Sequence, residues 1–232
     1  MSMKIPGDGI WLLAAAAPRE ASAVLDAFGL NTPPELWVPV RLHDRFELVR
    51  TGVGKSNAAG AVASVIDASR YAGVLSVGIA GVLPGGGHRI LDTVCASRSV
   101  FSDEGVGTPG GFINCAEMGF APFDNGEMGI DHDPRVIEWL GSLCDAHATI
   151  ACVSWCSGDD GCARGVVSRT GASVEAMEGA SIALVAQRLG VLSGELRVIS
   201  NTTGNRADQR WDLDGAMERL STVLGRLASM GA

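Results

Sequence analysis

Ile10-Trp11-Leu12-Leu13-Ala14-Ala15-Ala16-Ala17-Pro18-Arg19-Glu20-Ala21-Ser22-Ala23-Val24-Leu25-Asp26-Ala27-Phe28 changes its period halfway along. Up to Ala16 it is an unbroken apolar run of strand length, as a buried strand requires. From Pro18 the period turns helical, with Ala21, Val24, Leu25 and Phe28 at the i, i+3, i+4, i+7 spacing of one face. A buried strand feeding an amphipathic helix is the repeating unit of an α/β protein. The junction also carries an acid, Glu20, just past the carboxyl end of the strand.

The same alternation continues along the chain. Residues 46–50 predict a strand ending at the turn Thr51-Gly52-Val53-Gly54, with a small-residue helix from Lys55 to Ala68. Further strands are expected at Gly73–Val82, Asp92–Arg98, Thr149–Ser157, Ser173–Glu178 and Glu195–Ser200. Helices are expected at Pro134–Ala146, capped by Asp133, at Gly179–Leu189 and at Trp211–Met230. The stretch 101–129 is rich in Gly, Pro and Asn and reads as loop. No repeat, linker or charge block interrupts the pattern, so one α/β domain over residues 1–232 is expected.

Composition narrows the functional classes. Hydrophobic residues make up 47% and charged residues 19%, enough for a large core. The net charge is −8 with no run of Lys or Arg, which argues against a nucleic-acid surface or a membrane surface. No apolar run approaches the roughly 20 residues that span a bilayer. The six cysteines sit largely inside apolar runs and match no zinc spacing, so buried reduced thiols and a cytoplasmic location are expected.

Two local motifs point to other chemistry and fall short of it. Gly52-Val53-Gly54-Lys55-Ser56 lacks the glycine that a phosphate-binding loop needs, because Val49 occupies that position. A dinucleotide fingerprint would need glycine at Asn57. A tight strand-to-helix turn accounts for the segment. His132, between Asp131 and Asp133, has no converging oxygen ligands in view and reads as a solvated helix start. No metal is expected.

Three segments merit joint reading: Pro18-Arg19-Glu20, Val174-Glu175-Ala176-Met177-Glu178-Gly179-Ala180, and Leu196-Arg197-Val198-Ile199-Ser200-Asn201. Each puts polar groups at the carboxyl end of an expected strand, where open α/β sheets bind ligands. Taken singly, these are a surface acid, a helix-start acid and a strand-end turn. Together they suggest one pocket.

Across nearly its whole length, and in the same order, the chain resembles the superfamily of nucleoside phosphorylases and nucleosidases. Gly52-Val53-Gly54-Lys55-Ser56-Asn57-Ala58-Ala59 is similar to its G-[IV]-G-K-x-x-A-A turn, and Val77-Gly78-Ile79-Ala80-Gly81 to its T-G-S-A-G segment. Leu91-Asp92-Thr93-Val94 with Phe101-Ser102-Asp103, Ser157-Gly158-Asp159, and Met177-Glu178-Gly179-Ala180 resemble G-D-[IV]-V with Y-H-D, S-G-D and M-E-x-A. The ending Ile199-Ser200-Asn201-Thr202-Thr203-Gly204-Asn205-Arg206, followed by Trp211, resembles that of futalosine hydrolases.

The resemblance implies a mixed central β-sheet flanked by helices and hydrolysis of a purine N-glycosidic bond. It implies Glu20 as general base, Glu178 at the ribose and Asn201 at the departing base, with Ile79, Ala80, Gly81, Met177 and Arg197 binding substrate, Arg197 also holding the arrangement in position by pairing with one of the carboxylates. Methylthioadenosine nucleosidases carry aspartate where this chain has Asn201, and a carboxamide suits a 6-oxopurine. Ile79, in place of the serine of T-G-S-A-G, disfavours a bound phosphate. No cofactor is implied. Family members are usually dimers or larger, and the stretch from Phe112 to Phe123 is the expected interface loop. A 6-amino nucleosidase, a phosphorylase and a non-catalytic nucleoside binder are the alternatives.

Overall fold

The computed structural model describes residues 4–230. Its elements in order are β1 (Ile10–Ala15), α1 (Pro18–Ala27), β2 (Val40–His43), β3 (Phe46–Arg50), α2 (Lys55–Val65), β4 (Tyr71–Val82), β5 (Thr93–Phe101), β6 (Gly105–Thr108) and β7 (Gly111–Asn114). There follow β8 (Gly129–Asp131), α3 (Pro134–Gly141), β9 (Ala146–Cys152), α4 (Asp160–Thr170), β10 (Val174–Ala176), α5 (Gly179–Leu189), β11 (Leu192–Thr202) and α6 (Leu213–Met230).

The main sheet runs β10-β9-β5-β11-β4-β1-β3-β2, with β8 added to β5. It is mixed: β1 pairs in parallel with β3 and β4, and β4 with β11, whereas β11 and β5 are antiparallel. Strand β10 pairs in parallel with β9 and antiparallel with β4, setting Glu175 opposite Gly81. The strands β4, β11, β5, β9 and β10 therefore close on themselves, and the ends of β4, β10 and β11 meet.

Both faces of β1 are buried, which is why its sequence is a continuous apolar run. Trp11 and Leu13 join a core made with α1, α3 and α6, while Ile10, Leu12 and Ala14 pack with α2 and α5. Trp11 is fully buried with its ring centroid 4.7 Å from that of Trp139. Truncating such a residue to alanine costs about 3–5 kcal/mol.

Several expectations are corrected. Residues 105–114 form the hairpin β6–β7 where loop was expected, and β2 was not foreseen. Strand β9 starts three residues and ends five residues before the expected Thr149–Ser157, and α3 stops at Gly141. Helix α4 was missed because glycines at 161 and 165 dilute its apolar stripe; its ends are nevertheless marked. Asp159 accepts the Cys162 N–H at 2.8 Å as N-cap, and Gly171 ends the helix in the left-handed conformation. Cys95 and Cys144, with Cα atoms 5.9 Å apart, are joined as a disulfide. The expectation of six reduced thiols fails there, because the sheet brings β5 against the residues after α3. Cys115, Cys152, Cys156 and Cys162 are free.

Candidate active site

Helix α1 begins where β1 ends, and this fixes Glu20. Its Oε2 accepts the N–H groups of Ala16 (3.2 Å) and Ala17 (2.8 Å), so the carboxylate caps its own helix from the N3 position. Its Oε1 accepts the Ile79 N–H of β4 at 2.9 Å. Gly78 makes this approach possible, since a Cβ there would overlap Glu20 Oε1 and lie 2.7 Å from Arg197 Nη1. Burial pushes the Glu20 carboxyl above its ordinary range and the nearby Glu178 adds to that; Arg197 and the backbone donors pull the other way.

Glu178 sits between β10 and α5. Its Oε1 accepts the Gly54 N–H at 3.1 Å, and its Oε2 lies 3.3 Å from Arg197 Nη2. Gly54 has φ +94°, a conformation that favours glycine, so the Gly52-Val53-Gly54-Lys55 turn spends a backbone donor on a carboxylate. Lys55 is turned toward Asp103 and Glu104.

Asn201 owes its direction to an irregularity. The β4–β11 register runs Val198↔Ile79, Ile199↔Ala80 and then Asn201↔Gly81, so Ser200 is an inserted residue. Such a bulge re-aims the following side chain. The Asn201 Oδ1 accepts the Ser200 hydroxyl at 2.8 Å, and its Nδ2 donates to the Thr202 carbonyl at 2.9 Å.

One cavity of about 220 Å³ is lined by Glu20, Ile79, Ala80, Gly81, Met177, Glu178 and Asn201 together. Arg197 does not reach it. The guanidinium is 1% exposed and lies behind the wall, donating to Ser76 Oγ at 2.8 Å and to Glu195 Oε1 at 3.0 Å. Burial alone would lower its pKa, but Glu195, Glu178 and Glu20 outweigh that and raise it. Its expected place among the substrate contacts is therefore corrected: three surrounding acids hold it in the protein interior.

Sequence reasoning passed over the rest of the lining. Glu175 is buried and accepts the Ser157 N–H (2.8 Å) and hydroxyl (2.6 Å); burial pushes its carboxyl up, and the Ser157 bonds oppose this. Gly81 pairs with both Glu175 and Asn201, so these two flank it on either side. Arg206, Gln209 and Trp211 form the rim, with the Arg206 guanidinium 4.7 Å from the Trp211 ring centroid. The acid in Val174-Glu175-Ala176 was the available signal for the first of these; Arg206 and Trp211 stand in the ending that carried the family resemblance, and nothing marked Gln209. A larger groove of about 540 Å³ between α1 and α6 is shallow and gathers no such set of groups. His132 is buried, not solvated, and no cluster able to hold a metal occurs among the described residues.

Residues 44–230 match the phosphorylase superfamily. The futalosine hydrolase of Acidothermus cellulolyticus is 34% identical over 94% of this chain and 90% of its own, and that of Streptomyces coelicolor 30% identical over 94% of each. A solved futalosine hydrolase of Helicobacter pylori has the same fold, with TM-score 0.74 at 23% identity over 97% of this chain and 99% of that one. The methylthioadenosine/S-adenosylhomocysteine nucleosidase of Streptococcus pneumoniae shares it at TM-score 0.75 and 19% identity, over 96% and 99%. The chain belongs to the futalosine hydrolase family of the phosphorylase superfamily.

Proposed function

We propose that this protein hydrolyses the N-glycosidic bond of futalosine, releasing hypoxanthine and dehypoxanthinyl futalosine on the route to menaquinone. The observation that carries this reading is the meeting of Glu20, Glu178 and Asn201 on one cavity, from three distant segments of chain.

Cleavage of a glycosidic bond passes through an oxocarbenium-like sugar. Glu178, held by Arg197 and the Gly54 N–H, accepts from the ribose hydroxyls and sets negative charge beside that developing cation. Glu20 takes a proton from water as its oxygen bonds to C1′. The C1′–N9 bond breaks and its electron pair leaves with the base, which takes up a proton from solvent at N7. The proton on Glu20 returns to solvent.

The local bonds of Asn201 bear on base identity. Its carboxamide has two donors and two acceptor sites, and one of each is spent on Thr202 and Ser200. One acceptor and one donor remain. A 6-oxopurine leaving group presents N7–H and O6, which match them. Met177 packs against the sugar, and Ile79, Ala80 and Gly81 form the wall beneath it. Water is favoured over phosphate as nucleophile because Ile79 offers no side-chain donor and Lys55 is engaged by Asp103 and Glu104.

The decisive assay follows hypoxanthine release from futalosine with and without phosphate. Release independent of phosphate is expected. A strict phosphate requirement would make the protein a phosphorylase, and turnover of methylthioadenosine alone would make it a 6-amino nucleosidase. The protein acts in the cytoplasm as a homodimer or larger homo-oligomer in this reading. Exposed Phe120 and Trp155 support the assembly, which light scattering on the purified chain would test.

A further inference from the structure

Behind the cavity runs a line of buried polar side chains that the chemistry above leaves unused. Arg197 has two working ends. Its Nη2 faces Glu178, and its Nε donates to Glu195 Oε1 at 3.0 Å. Glu195 is 1% exposed and does not line the cavity. Its other oxygen, Oε2, accepts the Ser99 hydroxyl at 2.5 Å. Ser99 Oγ lies 2.9 Å from His132 Nε2, and His132 Nδ1 lies 3.0 Å from the Ser193 carbonyl and 3.2 Å from its hydroxyl.

Proton counting gives this line one direction. An ionised Glu195 can only accept, so the single Ser99 proton goes to it. The Ser99 oxygen must then accept from His132 Nε2–H. Burial pulls the imidazole below its usual range, although Glu195, the Ser193 backbone bond and Asp131 pull against that. Nδ1 faces the Ser193 carbonyl, which can only accept, at 3.0 Å and the Ser193 hydroxyl at 3.2 Å. The directed part of the line runs from His132 through Ser99 to Glu195.

An arrangement of this kind is expensive to bury, and apolar side chains of equal volume would serve stability as well or better. Its use is visible at the other end. Three acids, Glu20, Glu178 and Glu195, surround one guanidinium. The turn that carries Glu178 is cut to admit Glu195, because a Cβ on Gly179 would overlap the Glu195 carboxylate. With its Nε side free, Arg197 could shift toward Glu20, whose carboxylate shares the space above Gly78.

We propose that Glu195, Ser99 and His132 are positioning residues that clamp Arg197 against Glu178 and keep it off Glu20. The inference rests on the roles given above to Glu20 and Glu178.

The test uses the full-length chain and futalosine, with kcat, KM and melting temperature for each variant. Ser99→Ala and His132→Phe should lower kcat about 10- to 100-fold, the scale of lost outer-shell support, with KM changed less than about threefold. Ser99→Thr and His132→Gln keep a donor and should restore most of the rate. Ser99→Ala combined with Glu195→Gln should lose little more than the worse single change, as one unit does. A folded Ser99→Ala enzyme with wild-type kcat overturns the proposal, and so does a loss explained wholly by unfolded protein or by higher KM. If wild-type protein releases no hypoxanthine, the proposed function falls first; if wild type is active and these variants equal it, only the clamp falls.

Discussion

The floor of the cavity and its rim are built on different terms. At the floor, Glu20 and Glu178 sit on strand-to-helix junctions, are almost fully buried, and have oxygens pinned by backbone N–H groups and a buried guanidinium. At the rim, Arg206, Gln209 and Trp211 lie on a loop between β11 and α6 and bond to one another and, through Gln209, to the Ser157 and Gly204 carbonyls. Trp211 is 47% exposed. In the proposed reading, positions where charge develops are held by the scaffold, whereas those meeting the variable part of a substrate are left on a loop. Rate should therefore depend on the floor and affinity on the rim.

Breaking the floor should have the largest effect. Glu20→Gln removes the base and should lower kcat by about 10²–10⁴-fold in single-turnover assays, with little change in KM. A near-normal rate would remove Glu20 from the chemistry. Glu178→Gln should cost about 10²–10³-fold, on the scale of losing one electrostatic contact made to the transition state.

Acidity offers a gentler probe of the same floor. Glu20 must be ionised to act, and its pKa is raised, so kcat/KM should fall as pH drops through a value above the ordinary 4.5 of a glutamate. A limb at or below 4.5 would contradict the buried setting.

Asn201 lies where floor meets rim, and Asn201→Asp tests which it serves. The ratio of 6-oxopurine to 6-aminopurine turnover should drop about 10- to 100-fold, since one mismatched buried polar pair costs about 1–3 kcal/mol. An unchanged ratio would mean that the base is read elsewhere. Trp211→Ala should give the smallest effect, raising KM a few-fold at constant kcat, in keeping with about 1 kcal/mol for an exposed aromatic contact. A fall in kcat there would erase the contrast.

Much of the scaffold was legible because local signals agreed. The period change at Pro18 located β1 and α1, and the spans of β3 and α5 were read correctly to the residue. Asp133 caps α3 through the Arg135 N–H as its position implied. Helix α4 escaped because its stripe is weak, although Asp159 and Gly171 mark both ends. At the cavity, polar residues at strand ends were sufficient to suggest Glu20, Glu178 and Asn201. Arg197 pairs with carboxylates as expected, but periodicity does not show on which side of the wall it lies, and its place among the substrate contacts is corrected. Nor does it show that β10 would turn back onto β4, which is what brings Glu175 and Ser157 to the cavity.

The extra residue at Ser200 has a consequence for how this pocket can change. Loss of Ser200 would leave Asn201 opposite Gly81 and Thr202 opposite Val82 but remove the bulge that aims the Asn201 side chain. The direction of this amide in the cavity is thus set by chain length as well as by side-chain identity. Losing a single codon would redirect it with every neighbouring letter unchanged.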